Sequence, residues 1–421
     1  MERFKLPGYR LGVINTKKFK TSTVVLRLVA PLSKDTVTVR KLLSSLLIEG
    51  TSKHQGLQEL VRYAEELYGL NVSISTGYTG CDHYISIYST AINDDYLPTK
   101  ENIIEKQICL INDLLNDAYL KLDSFNENKI RIAKTNLINQ IKSQYDDKIV
   151  YSMNKMYEYM GKDTPLEISP TGYIEDIESI TRDDLLTCLE TIIKKDQKFV
   201  FACGDYHNDI KEVFARDLVF PENNKKYPAV YPFLPTRDEV QDIVEFQQVN
   251  QAKLNLGFSS KVSIYDPRIH SMILFNFILG GYSQSLLFQE VREKHSLCYY
   301  VGSSYDSFNC VLTIYAGVDH GNLEKARDLI FEQIERMKNG DFPDEHIDLA
   351  KNYYRSQYLK GNDEPRSLIN RTFNRSLANL DIDEKEYLSK ILAVTKADLA
   401  DVAKTVRLDT VFTLKGGDEN G

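Results

Sequence analysis

The sequence predicts an α+β fold made of two homologous domains. Each domain is a mainly antiparallel sheet packed with helices, and the two are expected to face each other across a cleft. Hairpin-like strand patterns mix with amphipathic helix patterns in each half of the chain. The order of these patterns in the first half recurs in the second half. A polar, proline-rich stretch over residues 220–240 lies between the halves, as linkers between domains tend to do.

Length, charge and cysteine usage set the class of protein. A chain of 421 residues is long enough for two to three domains with separate cores. Charged residues make up 27% and no apolar run has spanning length, which indicates a soluble protein without a membrane partner. The net charge of −8 and the lack of a basic stretch argue against nucleic acid. The first residues show no signal peptide and the six cysteines form no CxxC pair, so we expect a cytoplasmic protein with reduced thiols.

Periodicity places the elements of the first half. The segment 36–48 repeats apolar residues at helical spacing and is followed by Gly50, which can end a helix. Other helix patterns cover 57–67, 100–117, 124–145 and 148–159, and a helix start is indicated near 181–185. Strand patterns cover 9–14, 23–29, 70–77, 83–90 and 198–203.

The second half repeats this order and indicates an internal duplication. Strand patterns cover 253–258, 297–304 and 310–317, and helix patterns cover 268–279 and 286–294. Gly280 lies 230 positions after Gly50, and five positions between 60 and 72 match in type those 227 positions later. Further matches join 132–134 to 349–351 and 180–185 to 394–399. We therefore divide the chain into residues 1–219, a linker over 220–240 and residues 241–421, and expect each half to have its own core.

The stretch 275–301 is the candidate functional segment. An apolar helix ends at a glycine pair, after which Ser283 or Ser285 can cap a second helix. Cations gather in the last turn of that helix, where the helix dipole favours them, and a strand pattern follows. Local rules thus leave Arg292 at a helix end and Tyr299 on the next strand, close enough to face one cleft.

The duplication and the stretch 279–301 resemble the pitrilysin/insulinase-type zinc metallopeptidases, the inverted H-x-x-E-H class. The resemblance covers essentially the whole chain and is strongest at 275–301. There the family has a glycine-rich turn, a helix with R-E-K and a short G-L-x-Y segment. In this chain Ser296 replaces the usual glycine and Cys298 the usual small residue, and the spacing from Arg292 to Tyr299 is kept.

The resemblance implies that the family's zinc motif falls just before Gly50, where this chain departs from it. Lys41 and Ser45 stand at the two histidine positions and Ser44 at the general-base position. The family's third ligand, a glutamate on a later helix, has its best counterpart in Gln140. Zinc needs imidazole, thiolate or carboxylate donors, and a serine cannot replace the carboxylate base. We therefore expect these four positions to be a degenerate zinc motif, with no metal bound by this chain.

Three other groups of residues could form sites, but structural interpretations are preferred for them. Cys81 with His83, and Cys203 with His207, have metal-like spacing, but neither has a second close pair. His295 is interpreted as a helix-end cation rather than a substrate contact. For Arg292 and Tyr299 the structural alternative is a surface ion pair and a core aromatic, and the resemblance favours the functional interpretation.

The resemblance implies a catalytically silent subunit of a heterodimeric peptidase. In the two-subunit members one chain carries zinc and the other an Arg and Tyr that complete the partner's site. Arg292 and Tyr299 would then bind the peptide substrate and stabilise charge on the scissile carbonyl. A homologous partner subunit would supply zinc, water and the glutamate base. The rival hypotheses are a peptide-binding or scaffold module without proteolysis, and an enzyme with rearranged chemistry that acts alone.

Overall fold

The computed structural model describes residues 1–99, 101–207, 209–222 and 237–417. Helices and strands are mixed in two separate sheets, so the predicted α+β class is confirmed. The strands are β1 (Glu2–Leu6), β2 (Tyr9–Asn15), β3 (Thr21–Pro31), β4 (Asn71–Thr79), β5 (Asp82–Ile92), β6 (Gln197–Gly204), β7 (Gln241–Gln247), β8 (Ala252–Ser259), β9 (Cys298–Asp306), β10 (Val311–Val318) and β11 (Arg407–Gly416).

The α-helices are α1 (Lys34–Leu47), α2 (Leu57–Glu66), α3 (Ile103–Asn116), α4 (Asn128–Asp146), α5 (Lys148–Met160), α6 (Ile174–Ile177), α7 (Arg182–Lys195), α8 (Ile210–Asp217), α9 (Ile269–Gly280), α10 (Leu323–Asn339), α11 (Asp344–Lys360), α12 (Pro365–Leu377), α13 (Glu384–Ala393) and α14 (Lys396–Lys404). A π-helical segment covers Phe288–Lys294, where an ordinary helix was predicted over 286–294. None of the described helices combines the length and apolar character that crossing a membrane requires.

Each sheet is mainly antiparallel, as predicted. The first has the strand order β1-β2-β6-β3-β5-β4, and only β2 and β6 run parallel. The second has the order β7-β11-β8-β10-β9, and only β7 and β11 run parallel. Apart from β1, the two sheets therefore have the same topology, with the strands in corresponding order.

The chain forms two compact units that exchange segments. Unit 1 comprises Met1–Ile141, Ser169–Ala229 and Gly361–Asn379, and unit 2 comprises Lys142–Ile168, Val230–Lys360 and Leu380–Gly421. Thus α5 from the first half of the sequence belongs to unit 2, and α12 from the second half belongs to unit 1. Most of the predicted linker at 220–240 lies outside the described residues, since 223–236 are not among them.

Local sequence explains the ends of the helices. Gly50 follows α1 with φ of 130°, and a Cβ there would lie 2.2 Å from the carbonyl oxygen of His54, so the turn requires glycine. α7 begins with a capping box of Thr181 and Asp184, and α14 with one of Thr395 and Asp398. These boxes lie at positions that the proposed duplication pairs, so the chemistry of the helix start recurs with the sequence.

Candidate functional site

Three positions of the degenerate zinc motif, Lys41, Ser44 and Ser45, lie on α1 in unit 1. Lys41 is partly buried, and this burial lowers the pKa of its ammonium group. Ser44 is 3% exposed, and its hydroxyl donates to the carbonyl oxygen of Lys41 at 2.7 Å. The Ser45 hydroxyl donates to the carbonyl oxygen of Leu42 at 2.7 Å. Both serine side chains are thus bonded to the backbone of their own helix.

The fourth position of the degenerate zinc motif, Gln140, is exposed on α4 in unit 1. An ammonium, two hydroxyls and an amide do not fit zinc, which takes imidazole, thiolate or carboxylate donors. Within the part of the chain that the structure describes, no group of three or more His, Cys, Asp or Glu residues is arranged to hold a metal ion. The residues at these four positions therefore do not fit zinc, the metal of the family that the chain resembles.

A buried ionic network, which the sequence did not reveal, lies beside this frame. Arg40 on α1 forms an ion pair with Asp196 at 2.8 Å, and both side chains are less than 5% exposed. Its guanidinium also donates to Nδ1 of His83 at 3.1 Å and to the carbonyl oxygen of Leu28 at 3.0 Å. Lys198 Nζ donates to the carbonyl oxygen of Asp196 at 2.8 Å. This network (Arg40, His83, Asp196 and Lys198) ties α1 to three strands and to the segment after α7.

Burial determines the charge states in the network. It lowers the pKa of His83 to about 3, with Arg40 and Lys41 adding to the effect, so His83 is neutral at physiological pH. It also lowers the pKa of Lys198 to about 8, although Asp196 opposes this shift. Such groups are costly to bury unless they are paired, which explains why each of them has a partner.

Neither the Cys81–His83 pair nor the Cys203–His207 pair belongs to a metal-binding group of three or more His, Cys, Asp or Glu among the described residues. His83 is 1% exposed and its Nδ1 accepts a hydrogen bond from Arg40. Cys203 is fully buried on β6, whereas the imidazole of His207 is exposed and lies 3.9 Å from the carboxylate of Asp95. His295 ends the π-helical segment, in agreement with its interpretation as a helix-end residue.

Arg292 lies in the π-helical segment of unit 2, a rare geometry that is often found at functional sites. Ser285, one of the two predicted caps, accepts a hydrogen bond from the backbone of Phe288 at 3.4 Å. The guanidinium of Arg292 lies 4.6 Å from the centre of the Phe288 ring and 3.8 Å from the carboxylate of Glu293. Its side chain is 42% exposed. Among the described residues, one aromatic ring and one weak ion pair contact the guanidinium, and its 42% exposure leaves N–H donors accessible.

Tyr299 lies on β9, at the edge of the sheet of unit 2. Gly317 pairs with Tyr300 and Val318 with Cys298, so Tyr299 is the extra residue of a β-bulge. Bulges at sheet edges redirect side chains, and Tyr299 is 63% exposed. Its hydroxyl forms no hydrogen bond with any described residue. The structural alternative of a core aromatic is therefore excluded for Tyr299.

The turn between the two residues brings Arg292 near Cys298, which precedes Tyr299 in β9. Ser296, at the position of the family's glycine, has a left-handed φ of 50°, which glycine adopts without strain. The backbone N–H of Ser296 donates to the carbonyl oxygen of Arg292 at 3.0 Å. Burial raises the pKa of the Cys298 thiol to about 11, and the guanidinium of Arg292 opposes this shift. Arg292 thus lies near the residue that precedes Tyr299.

Comparison with known proteins identifies the family of the chain. Residues 179–354 match the family model described as "Peptidase M16 inactive domain". The "Probable inactive metalloprotease YmfF" of Bacillus subtilis (strain 168) is 32% identical over 417 residues, which cover 97% of this chain and 96% of that protein. The chain belongs to the M16 peptidase family, the pitrilysin/insulinase type. The predicted family is therefore confirmed.

Solved structures show the same fold. A conserved protein from Enterococcus faecalis V583 aligns with a TM-score of 0.90 and 26% identity, covering 99% of this chain and 98% of that one. A "peptidase M16 inactive domain" from Pseudomonas fluorescens aligns with a TM-score of 0.79 and 17% identity, covering 99% and 98%. At the lower identity the likeness concerns the fold alone. Within the family, this chain is similar to proteins that are named as inactive.

Proposed function

We propose that this chain is the non-catalytic subunit of a two-chain zinc peptidase. It binds the peptide and presents Arg292 and Tyr299 to the active site of a homologous partner. The partner supplies the zinc ion and the glutamate base. The observation that carries the proposal is a contrast within the chain: the frame for zinc holds residues that cannot bind it, whereas the Arg and Tyr of the second unit are exposed and available.

The chemistry of the two side chains supports this role. A guanidinium has five N–H donors in a planar fork and a phenol has one O–H donor. Both groups can donate a hydrogen bond to a peptide carbonyl oxygen. These hydrogen bonds become stronger when the oxygen gains negative charge in the transition state. Because the donors are already in place on a π-helical segment and a bulge, little reorganisation is needed when the peptide binds.

The sheets also offer places for an extended peptide. β4 in unit 1 and β9 in unit 2 are edge strands, each paired on one side only among the described strands. An edge strand presents free N–H and C=O groups to which a peptide can add as a further strand. A peptide bound along β9 would run past Tyr299, since that residue lies on the same strand.

Reconstitution with a homologous subunit that has an intact H-x-x-E-H motif tests the proposal. Turnover of a quenched peptide is measured for each chain alone and for the pair, and complex formation is checked by gel filtration. We expect activity from the pair only. Arg292→Ala and Tyr299→Phe should reduce its turnover by roughly 10- to 1,000-fold, the range for removal of one donor to an oxyanion. Arg355→Ala, at an exposed position on α11, is the matched control.

Three results would contradict the proposal. Hydrolysis by this chain alone would support an enzyme with rearranged chemistry. Peptide binding without any hydrolysis by the pair would support the scaffold module. Wild-type turnover from both the Arg292 and the Tyr299 variants would show that the two side chains are structural.

A further inference from the structure

Four polar side chains share one face of the sheet in unit 2. Antiparallel pairing aligns Lys253 with Gly317 and Asn255 with Tyr315 across β8 and β10. Gly317 in turn aligns with Tyr300 on β9. Residues at paired positions point to the same side of a sheet, and so do residues two apart on one strand. These positions define the donor cluster, which consists of Lys253, Asn255, Tyr300 and Tyr315.

Two glycines bring the members of the cluster together. A Cβ at Gly317 would lie 2.3 Å from the Tyr300 ring, so that ring rests on the backbone of the neighbouring strand. A Cβ at Gly302 would lie 2.8 Å from the hydroxyl oxygen of Tyr315, which rests on the strand in the same way. The centres of the two rings are 6.4 Å apart, and Nζ of Lys253 is 5.5 Å from the centre of the Tyr300 ring.

The donors of the cluster have no acceptors in the described part of the chain. Asn255 is 2% exposed, and its Nδ2 lies buried without a hydrogen-bond partner. Lys253 forms no ion pair or hydrogen bond with any described residue, and the hydroxyls of Tyr300 and Tyr315 form no hydrogen bond with one. A buried donor without an acceptor costs about 1–3 kcal/mol. Such groups are rare in native proteins, so the Nδ2 of Asn255 requires an explanation.

The adjoining part of the same face, which α5 covers, shows the opposite pattern. There the hydroxyl of Tyr157 lies 2.9 Å from that of Thr313, and the two are hydrogen-bonded. A Cβ at Gly257 would lie 2.7 Å from the sulfur of Met160, so α5 packs closely on this part of β8. The Tyr157–Thr313 pair beneath α5 is therefore hydrogen-bonded, whereas the Nδ2 of Asn255 is not.

One carboxylate, that of Asp147, acts on the cluster without pairing with it. Its side chain caps α5 by accepting hydrogen bonds from the backbone of Ile149 and Val150. Burial lowers the pKa of Lys253, and the charge of Asp147 opposes this shift only in part. An anion bound beside Lys253 would, like Asp147, favour the charged form of its ammonium group.

We propose that the donor cluster binds a carboxylate group of the peptide. The cluster offers an ammonium, an amide N–H₂ and two phenol hydroxyls, and a carboxylate accepts hydrogen bonds from all of them. Tyr300 directly follows Tyr299, so the carboxylate would lie next to the part of the peptide that Tyr299 contacts. This inference rests on the proposed peptide binding and adds to it a class of substrate: peptides with an acidic side chain or a free C-terminus at that place.

Binding of fluorescent peptides to the full-length isolated chain, measured by anisotropy, tests the inference. One peptide pair differs only in a free or amidated C-terminus, and a second pair differs only in an internal Glu or Gln. The carboxylate form of one pair should bind about tenfold or more tightly, as expected for hydrogen bonds to a charged group. Lys253→Met and Tyr300→Phe should reduce that preference, because each weakens binding of the carboxylate form more than binding of the neutral form. Lys404→Met, at an exposed position on α14, is the matched control.

The outcomes separate this inference from the function on which it rests. Preference within the first pair would identify the chain terminus as the ligand, and preference within the second the acidic side chain. Equal binding of all four peptides would overturn the carboxylate site, yet the proposed function would stand if Arg292→Ala still lowers turnover by the pair. If no peptide binds and the Arg292 variant is fully active, both are contradicted.

Discussion

The two units have the same strand order but differ in what surrounds their first long helix. In unit 1, α1 buries Arg40 against Asp196 and places lysine and serine at the zinc positions. In unit 2, the counterpart α9 is almost wholly apolar and is followed by the exposed Arg292 and Tyr299. The difference shows that one copy of the fold buries an ion pair beside this helix, whereas the other copy leaves an arginine and a tyrosine exposed after it.

The exchanged helices make this comparison closer. α5 and α12 begin 217 positions apart and have the same length, and each packs on the unit formed mainly by the other half of the chain. In unit 1, Phe373 of α12 lies against the rings of Tyr84, Phe199 and Phe201. In unit 2, Met156 lies at the matching position of α5 and packs with Phe412 and Leu414. Each unit therefore depends on a helix from the other half.

Truncating these two matched residues should give the largest effects. Phe373→Ala should destabilise unit 1 by about 3–5 kcal/mol and Met156→Ala should destabilise unit 2 by about 2–5 kcal/mol, because each leaves a cavity in a closed core. Hydrogen exchange measured by mass spectrometry resolves the units separately. We expect faster exchange in β3, β5 and β6 for the first variant, and in β8 and β11 for the second. The reverse assignment, or no change, would show that the exchanged helices do not stabilise these sheets.

The buried network predicts that unit 1 loses stability in acid through His83. Its pKa is about 3 in the folded chain against an ordinary value of 6.5, so the unfolded chain binds the proton first. The stabilisation is complete above pH 6.5 and declines as pH falls toward 3. Arg40 and Lys41 of α1 oppose the charged form, and Asp196 is already paired with Arg40. Between pH 7 and pH 4 this contributes a loss of about 3 kcal/mol.

Urea unfolding at a series of pH values measures this loss. His83→Asn keeps an acceptor near Arg40 and removes the titration, so its stability should fall less in acid than that of the wild-type chain. His207→Asn, at an exposed histidine of the same unit, should behave like wild type. Equal pH profiles for wild type and His83→Asn would mean that the network does not hold the imidazole neutral.

Much of the fold follows from periodicity, and the rest depends on long-range packing. The alternation in 83–90 and the helical spacing in 36–48 predict β5 and α1 within a few residues. Nothing in the pattern of 148–159 tells which sheet its helix covers, so the exchange of α5 was not predicted. The parallel pairing of β2 with β6 joins strands far apart in sequence and has no local signal either.

The sequence predicts only part of the candidate site, because the rest also depends on long-range packing. The spacing of Arg292 and Tyr299 comes from the family pattern, but the π-helical geometry and the bulge depend on backbone register. The partners of Arg40 lie on distant elements, so sequence alone gives only a polar residue on a helix. Lys253 and Asn255 do carry a signal, since two polar residues alternate with leucines in a central strand.

Turnover of a quenched peptide tests the contrast between the units most directly. It is measured for this chain alone and for the reconstituted pair, with each unit altered in turn. Ser44→Glu restores the family's base position in unit 1, and Arg292→Lys keeps the charge in unit 2 but removes the planar fork. We predict that Ser44→Glu gives this chain no turnover of its own, because Lys41 and Ser45 stand at the zinc-ligand positions beside it, and that Arg292→Lys lowers turnover by the pair roughly 10- to 1,000-fold. Turnover by the Ser44→Glu chain alone, together with wild-type turnover by a pair that carries Arg292→Lys, would contradict this account. It would mean that unit 1 retains the zinc chemistry and that Arg292 of unit 2 does not contact the substrate.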